Sequence, residues 1–277
     1  MTGLFKYSGA GNDFIAAAGT APDSGGLFLP SQDDVRSLCD RRSGWRSPDG
    51  RVGADGMIVV SPSHDCDFHM DFYNPDGSSG MMCGNGGRCA VDFAAFLGMI
   101  PSGCTSCTFS AADGLHRASI VSREGMRSVI RLGMIDPFGM KRILGGVFLN
   151  TGTRHFVRFV DDTDLVDVEA EGALLRHAEE FAPEGVNVNF VQICPDGSIR
   201  LRTFEKGVEA ETLACGTGIV ASAVASFYHS NGTSCADVHT VVHARVDDLT
   251  VDFVPCPDPF AAVAAKNVFL TGPVERF

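Results

Sequence analysis

One order of elements occurs twice in this chain, and that duplication constrains the fold more than any other feature of the sequence. The segment "MMCGNGGRCAVDFAAF" begins at Met81, and "LACGTGIVASAVASF" begins at Leu213. Each places a cysteine, Cys83 or Cys215, before a Gly-x-Gly stretch and an apolar run with helical spacing. Each cysteine also follows an alternating, strand-like segment that is broken by a turn. We therefore predict two similar domains, each combining a sheet with one apolar helix.

Further elements fit this arrangement. A more polar helix is predicted ahead of each alternating strand, at residues 32–41 after a Ser31 cap and at residues 169–181. Gly98 and Gly232 are the expected stops of the two apolar helices. The segments "ASIVSREGMRSVIRLG" and "VHTVVHARVDDLTVDF" are typical of β-hairpins.

Charge and hydropathy narrow the class of partner. The chain carries 34 acidic against 22 basic residues, a net charge of -12. Nucleic acids and anionic membranes would repel such a chain, so neither is an expected partner. No apolar stretch approaches the roughly 18 to 20 residues that span a bilayer, and the N-terminus lacks a signal-peptide core. We therefore expect a cytoplasmic protein in which the cysteines stay reduced.

The chemistry that the repeat favours follows from a thiol at the start of a helix. There the backbone N–H groups and the positive end of the helix dipole stabilise a thiolate, and the glycines let a carboxylate approach the backbone. Two such thiols on opposite faces of one carbon suit stereoinversion, because one removes a proton while the other donates one. An ordinary thiol pKa of about 8.5 fits a group that acts as base in one direction and as acid in the other. Backbone donors at both helix starts would stabilise the carbanion.

Other functions are compatible with single features of the sequence. A buried cysteine beside a glycine is more often structural than catalytic, so it is the repetition that favours catalysis. Cys104 and Cys107 form a CxxC, which allows a disulfide oxidoreductase or half of a zinc site. His239 and His243 do not complete a zinc site, because four residues along a strand span about 13 Å and two nitrogens on one zinc lie about 4 Å apart. A zinc-stabilised protein without catalysis is the minor alternative.

The motifs, taken in order, resemble those of the diaminopimelate epimerases, a family of cofactor-independent amino-acid epimerases that use two cysteines. The resemblance runs from "KYSGAGNDF" to "VFLTGP" and includes "GADG", "YNPDGSSGMMCGNGGRC", "GVNVNF" and "FEKGVEAETLACGTG". It implies an α+β fold of two pseudo-symmetric domains, each a mixed β-sheet or barrel wrapped around a central α-helix, with the active site in the interdomain cleft. The expected domains are residues 1–130 and 131–265, and strand 266–277 is the candidate that returns to complete the first.

The resemblance also implies a role for each matching residue. Cys83 and Cys215 would be the catalytic acid and base, exchanging roles with the direction of reaction. His155 and Glu205 would lie beside the thiols and adjust their pKa values. The expected substrate-binding residues are Asn12, Asn74, Gly84, Asn85, Asn187, Glu205, Lys206, Gly216 and Thr217. No pyridoxal phosphate, metal or other cofactor is expected.

Three departures from the family pattern bear on specificity more than on reaction class. Lys206 stands where the family usually has Arg, and a Lys cannot reproduce the bidentate grip of Arg on a carboxylate. Thr153 replaces an Asn that would contact the substrate, and the loop around Trp45 is longer than the usual connection. We expect an active site that tolerates other amino acids better than that of a strict family member.

The expected reaction is the interconversion of LL- and meso-diaminopimelate by removal and return of the α-proton, for lysine and peptidoglycan precursor synthesis. The expected partner is a small amino-acid substrate. The alternative within the same chemistry is a two-thiol racemase acting on glutamate, aspartate or proline. The sequence leaves open which thiol is ionised at rest, whether the domains close, whether Cys83 and Cys215 form a disulfide, and whether the chain forms a homodimer.

Overall fold

The structure, a computed structural model, describes residues 3–19, 29–80, 82–230, 232 and 236–277. The chain forms two compact units, which we call the N-terminal unit and the C-terminal unit. The N-terminal unit comprises Met1–Leu132 together with Gly272–Phe277, and the C-terminal unit is Gly133–Thr271.

The N-terminal unit is a closed barrel with a helix inside it. Its elements in chain order are β1 (Leu4–Gly9), β2 (Asn12–Ala18), α1 (Gln32–Cys39), β3 (Gly56–Ser61), β4 (Phe68–Tyr73), α2 (Gly84–Phe96), β5 (Ser106–Ala111), β6 (Gly114–Glu124) and β7 (Arg127–Gly133). The last residues of β16 (Ala265–Arg276) lie next to β1, where Tyr7 is opposite Arg276, so the sheet is closed. Helix α2 packs on β1, β2, β3, β4 and β6.

The C-terminal unit repeats this arrangement. Its elements are β8 (Phe138–Ile143), β9 (Gly146–Asn150), β10 (Arg154–Phe159), α3 (Val168–Arg176), β11 (Asn187–Ile193), β12 (Ile199–Glu205), β13 (Ala210–Thr212), α4 (Gly216–His229), β14 (Val238–His243), β15 (Asp248–Pro255) and the first part of β16. A bridge between Phe138 and Val263 joins the two ends of its sheet. Helix α4 packs on β9, β10, β11, β12, β14 and β15.

The strand pairings show that the duplication is structural. In the N-terminal unit β1 and β2 pair antiparallel, β2 and β3 parallel, and β3 and β4 antiparallel. In the C-terminal unit β9 and β10, β10 and β11, and β11 and β12 follow the same sequence of directions. Helices α1 and α3 form the parallel crossovers; α2 follows β4, and α4 follows β12 and the short β13. The predicted fold class, a mixed sheet or barrel around a central helix in each half, is confirmed.

The apolar pattern explains why α2 and α4 occupy the interior. Most residues of α2 and α4 are buried, and they lie around most of the circumference of each helix, as expected for a helix enclosed by a sheet. The two crossover helices instead bury one face. Val35 and Cys39 of α1 join one outer cluster, and Val168 of α3 joins another around Phe156 and Phe181.

Two predicted helices are shorter in the structure than in the prediction. Helix α1 begins as expected after Ser31, which forms a reciprocal capping box with Asp34, but it ends at Cys39. Helix α3 ends at Arg176, and only a 3-10 turn follows at Glu179–Phe181. The physical reason for this break is burial, because it lets Phe181 enter the outer cluster with none of its surface exposed.

The predicted end of α2 and the two predicted hairpins are confirmed. Gly98, with φ of +76°, ends α2 as expected, and both predicted hairpins are present as β6–β7 and β14–β15. Trp45, in the long loop, packs partly buried against the outer cluster of the N-terminal unit. Within the described part of the chain, the helices lack the combination of length and apolar character that a membrane span needs.

Candidate active site

The first candidate half-site lies at the start of α2. Cys83 is the N-cap residue, with an extended backbone at φ -92° and ψ 127°, and its carbonyl accepts from Gly87 N at 2.6 Å. Gly84 and Asn85 are the first two residues of the helix. The thiol is half-buried at the positive end of the helix dipole, where a thiolate or a carboxylate is stabilised.

A chain of amide contacts ties this helix start to β2. Asn85 Nδ2 donates to Asn12 Oδ1 at 2.8 Å, and Arg88 Nη2 donates to Asn85 Oδ1 at 3.0 Å. Arg88 is completely buried and also donates to Gly84 O at 3.3 Å. The structure therefore brings together two residues that the sequence predicts to be substrate ligands, and it adds a buried cation behind them.

A cluster of charges supports the other side of Asn12. Asp55 Oδ2 accepts from Asn12 Nδ2 at 3.2 Å and from Asp13 N at 3.1 Å. Arg41 bridges Asp13 and Asp55, and the fully buried Lys6 pairs with Asp13. Burial alone would raise the pKa of the Asp13 carboxyl, but hydrogen bonds from Arg41 and Lys6 hold it below its ordinary value. The amide plane of Asn12 is thus fixed from both ends.

Asn74 lies where β4 leads into the turn before α2. Its Nδ2 donates to Ser78 Oγ at 3.0 Å, and its backbone carbonyl accepts from Gly77 N at 2.9 Å. The structure therefore shows Asn74 organising this turn, and its predicted contact with substrate stays a prediction.

The second candidate half-site lies at the start of α4. Cys215 is the N-cap residue, and its carbonyl accepts from Ile219 N at 2.9 Å. Gly216 and Thr217 are the first residues of the helix, and Thr151 Oγ1 donates a hydrogen bond to Thr217 O at 2.9 Å. This cysteine is buried, whereas its counterpart in the N-terminal unit is half-buried.

Three of the predicted site residues form one row across the C-terminal sheet. His155 on β10 is opposite Asn187 on β11, and the register Val188–Phe204 places Asn187 beside Glu205 at the end of β12. Side chains alternate between faces along a strand, so these three share one face. Burial raises the pKa of the Glu205 carboxyl above its ordinary value, and the Thr212 hydroxyl partly offsets the rise.

Asn187 and Lys206 are linked through the backbone. Asn187 Oδ1 accepts from Lys206 N at 2.9 Å, and Asn187 Nδ2 donates to Arg154 O at 3.0 Å. The amide thereby fixes the turn after β12 against the start of β10. The side chain of Lys206 is exposed.

His155 is held as a neutral imidazole with a defined tautomer. Asn189 Nδ2 donates to Phe156 O at 3.3 Å, and because a carbonyl can only accept, the same nitrogen is a donor to His155 Nδ1 at 3.0 Å. His155 Nε2 therefore carries the proton, and it lies 2.9 Å from Thr153 Oγ1 and 3.0 Å from Thr217 Oγ1. Burial lowers the pKa of His155 to about 3.

Sequence reasoning missed several residues that shape the two half-sites. Asn189 was absent from the predicted site residues, although in "GVNVNF" it stands two residues after Asn187 and so shares its face of the strand. Arg88 also carried a signal, since it is the one basic residue in the apolar run of α2. Asp55 lies within the motif "GADG" but was given no role, and nothing local in the sequence pointed to Thr151; both act through contacts with distant segments.

The features behind the alternative functions lie apart from these half-sites. Cys107 is buried, which raises the pKa of its thiol to about 12, opposite to the thiolate that a disulfide oxidoreductase needs. His239 and His243 each contact an aspartate of the neighbouring strand, Asp252 and Asp248, at 2.7 Å. Among the described residues there is no group of three side chains arranged to hold a metal ion.

Solved structures share this fold over almost the whole chain. A phenazine biosynthesis protein of the PhzF family from Bacillus anthracis has a TM-score of 0.72 at 15% identity, covering 99% of this chain and 96% of that one. A hydroxyproline epimerase from Agrobacterium vitis has a TM-score of 0.67 at 16% identity, covering 99% and 90%. At these identities the likeness defines the fold only. Fold and half-sites together define a duplicated barrel protein with a thiol at the start of each central helix.

The sequence comparisons identify the family. A family model described as diaminopimelate epimerase matches residues 4–127 and 147–251. The diaminopimelate epimerase of Flavobacterium psychrophilum is 37% identical over 98% of this chain and 96% of its own length. That of Chlorobaculum tepidum is 42% identical over 82% of this chain and 84% of its own length. The chain belongs to the diaminopimelate epimerase family, as its motifs predict.

Proposed function

We propose that this protein interconverts LL- and meso-diaminopimelate by inverting one α-carbon. The observation that carries the proposal is that a family member holds a cysteine at the N-cap of the central helix in each of its two units. A thiol at that position is set to ionise, and the helix start beside it is set to receive a carboxylate. The product would serve lysine and peptidoglycan precursor synthesis, in the cytoplasm, where the thiols stay reduced.

The proposed chemical step transfers one proton in and one proton out. The thiolate of one cysteine takes the α-proton, and the bonding electron pair stays on the carbon as a carbanion conjugated with the carboxylate. The thiol of the other cysteine then donates its proton to the opposite face. The product leaves with inverted configuration and the two sulfurs have exchanged protonation states, so the reverse reaction uses the same groups in opposite roles.

The remaining candidate residues have two kinds of role. The N–H groups that begin α2 and α4, at Gly84, Asn85, Gly216 and Thr217, would stabilise charge that develops on the reacting carboxylate. The polar side chains of Asn12, Asn74, Asn187, Glu205 and Lys206 would bind the rest of the substrate. Asn74 and Lys206 are included because their positions match the family motifs.

The deciding experiment follows the α-proton in deuterated water. The wild-type protein is incubated with LL-diaminopimelate, and both the change in optical rotation and the uptake of α-deuterium are recorded. We expect inversion to be accompanied by deuterium in the product. In Cys83→Ala and Cys215→Ala we expect inversion to fall by about 10² to 10⁴-fold, since each variant lacks one of the two proton-transfer groups.

Residual chemistry in those variants provides the control. A single remaining thiol can still remove and return a proton on one face, so deuterium exchange without inversion is compatible with the scheme. Inversion at an undiminished rate in either variant would contradict it. Cys104→Ala, which removes a thiol from outside both half-sites, should retain full activity.

We further propose that the substrate range is broader than that of a strict family member. Lys206 carries one point charge where a guanidinium fork is usual, and Thr153 offers a hydroxyl where an amide is usual. Turnover of diaminopimelate is compared with that of glutamate, aspartate and proline, in the wild type and in Lys206→Arg. Activity confined to diaminopimelate in the wild type would refute this proposal without affecting the first.

A further inference from the structure

The sulfur of Cys215 is the end of a continuous chain of polar contacts within the C-terminal unit. Thr217 Oγ1 lies 3.4 Å from Cys215 Sγ, and it lies 3.0 Å from His155 Nε2. Thr153 Oγ1 lies 2.9 Å from the same His155 nitrogen and 3.1 Å from Thr217 Oγ1. The imidazole and the thiol are therefore connected through hydroxyl groups.

The direction of each hydrogen bond follows from the tautomer of His155. Its Nδ1 accepts from Asn189, so its Nε2–H can only donate, and the acceptors within reach are the oxygens of Thr153 and Thr217. A hydroxyl that accepts there keeps its own proton to give. For Thr217 the acceptors within reach are Thr153 Oγ1 and the sulfur of Cys215. When Thr153 donates its own proton to Thr217 Oγ1, the Thr217 proton is left for the sulfur.

We propose that Thr217 is a positioning residue that donates a hydrogen bond to the Cys215 thiolate and is itself oriented by His155 and Thr153. The inference rests on the proposed function, in which Cys215 is one of the two acid–base groups. It gives His155 an indirect role, because the imidazole acts through the hydroxyl and does not exchange the catalytic proton itself.

The relay suits a group that must alternate between base and acid. When Cys215 is a thiolate, Thr217 donates to it; when Cys215 is a thiol, the hydroxyl can rotate and accept from S–H. His155 Nε2 remains a donor in both states, because Nδ1 accepts from Asn189, and burial keeps the imidazole neutral. A protonated imidazole at this place would favour the thiolate permanently and hinder its return to the thiol.

Besides His155, one other titratable side chain lies near the Cys215 thiol, and the test must separate its effect from that of Thr217. Six strands pack on α4, namely β9, β10, β11, β12, β14 and β15, and among their described inward-facing side chains the titratable ones are His155 from β10 and Glu205 from β12. Glu205 is therefore included in the experiment.

The test measures the ionisation of Cys215 directly, without using catalysis. Alkylation of Cys215 by iodoacetamide is followed against pH, and the modified peptide is quantified by mass spectrometry. In Thr217→Val the apparent pKa of alkylation should rise, with about a tenfold lower rate near neutral pH, because a charge-assisted hydrogen bond is lost. Thr217→Ser should restore the wild-type profile, since it keeps the hydroxyl. The same rise should appear when Thr217→Val is combined with Glu205→Gln.

Ser222→Ala is the matched control, because it also removes one hydroxyl from α4. Within the described residues, Ser222 Oγ has no hydrogen-bond partner, so its removal should leave the Cys215 profile unchanged. If Thr217→Val does not fold, Thr153→Val should give a smaller shift in the same direction. An unchanged profile in a folded Thr217→Val, or an equal shift in Ser222→Ala, would overturn the relay. Absence of epimerisation with the shift intact would reject the proposed function and leave the relay standing.

Discussion

The two half-sites share a backbone plan but differ in the chemistry placed on it. Phe14 on β2 is opposite Gly56 on β3, and His155 on β10 is opposite Asn187 on β11. Because these pairs correspond, Asn12 and Thr153, each two residues earlier, hold equivalent places. Each contacts the residue two positions after its cysteine.

In the N-terminal unit the contact joins two amides, Asn12 and Asn85, at 2.8 Å, and in the C-terminal unit it joins two hydroxyls, Thr153 and Thr217, at 3.1 Å. An amide has separate donor and acceptor atoms, so Asn85 is held in one orientation by Arg88. A hydroxyl can reverse its role. The comparison teaches that a duplicated fold conserves where a contact is made while its chemistry diverges.

The groups behind the two contacts differ as well. Arg88 stands five residues after Cys83, and Val220 stands five residues after Cys215; both side chains are completely buried. One central helix thus carries a cation into the barrel and the other carries only apolar groups at that level. The amide pair is backed by a charge, and the hydroxyl pair by the neutral His155.

Among the variants that test this comparison, the largest effect is expected from removing the buried cation. Arg88→Met should lower kcat/KM by about 10- to 100-fold, because Asn85 and, through it, Asn12 lose a charge-assisted hydrogen bond. Steady-state kinetics with diaminopimelate, below the melting temperature of the variant, measure this. Val220→Leu alters the equivalent level of the other helix without touching a polar contact and should change kcat/KM far less. Equal losses in the two variants would contradict the comparison.

The glycines three residues after each cysteine provide the next test. A Cβ on Gly218 would lie 2.5 Å from Asn189 Oδ1 and 3.3 Å from His155 Cε1. Asn189 is fully buried and cannot withdraw, so Gly218→Ala should lower the free energy of unfolding by about 2 kcal/mol. Urea unfolding measures the loss. A variant as stable as the wild type would show that Asn189 and His155 leave room for a methyl group beside Gly218.

His155 should make the stability of the protein depend on pH, whereas its counterpart in the N-terminal unit, Phe14, does not titrate. The folded-state pKa of His155 is about 3, whereas an unfolded histidine titrates near pH 6.5. As pH falls below about 6.5 the unfolded chain gains a proton that the folded chain does not, so stability is lost toward pH 3. Between about pH 7 and 5.5 the wild type should lose about 1 kcal/mol more unfolding free energy than His155→Gln. If the unfolding free energy changed equally with pH in the two proteins, His155 would not be held neutral in the folded state.

The smallest expected effect is a gain in stability from Gly86→Ala, opposite in sign to the loss expected from Gly218→Ala. A Cβ on Gly86, the counterpart of Gly218, would meet Met70 and Phe72 no closer than 3.5 Å, an ordinary contact distance. Alanine is favoured over glycine inside a helix, so Gly86→Ala should stabilise the protein by about 0.5 to 1 kcal/mol. Thermal unfolding of the two alanine variants side by side gives the comparison, and destabilisation by Gly86→Ala would break it.

Much of the fold was predictable because its signals are local. The repeated cysteine segments predicted both central helices, and alternation at residues 68–73 and 199–205 predicted the strands before them. Helix α3 was predicted too long, because periodicity does not reveal that Phe181 must turn away to reach a distant cluster.

The site was predictable in part. Motifs pointed to the residues in the row of His155, Asn187 and Glu205, but not to their alignment, which depends on strand register. Thr153 was recognised only as a departure from the family pattern, and its partner on α4 was not apparent.

By itself, the sequence determined that two thiols begin two apolar helices, because capping and helical periodicity act between neighbouring residues. Only the tertiary structure decided what surrounds each thiol. His155 reaches Thr217 across 62 residues, and Asn85 reaches Asn12 across 73, through the pairing of strands around each helix. Contacts of that range are set by how the barrel closes on its helix, and short stretches of sequence do not specify it.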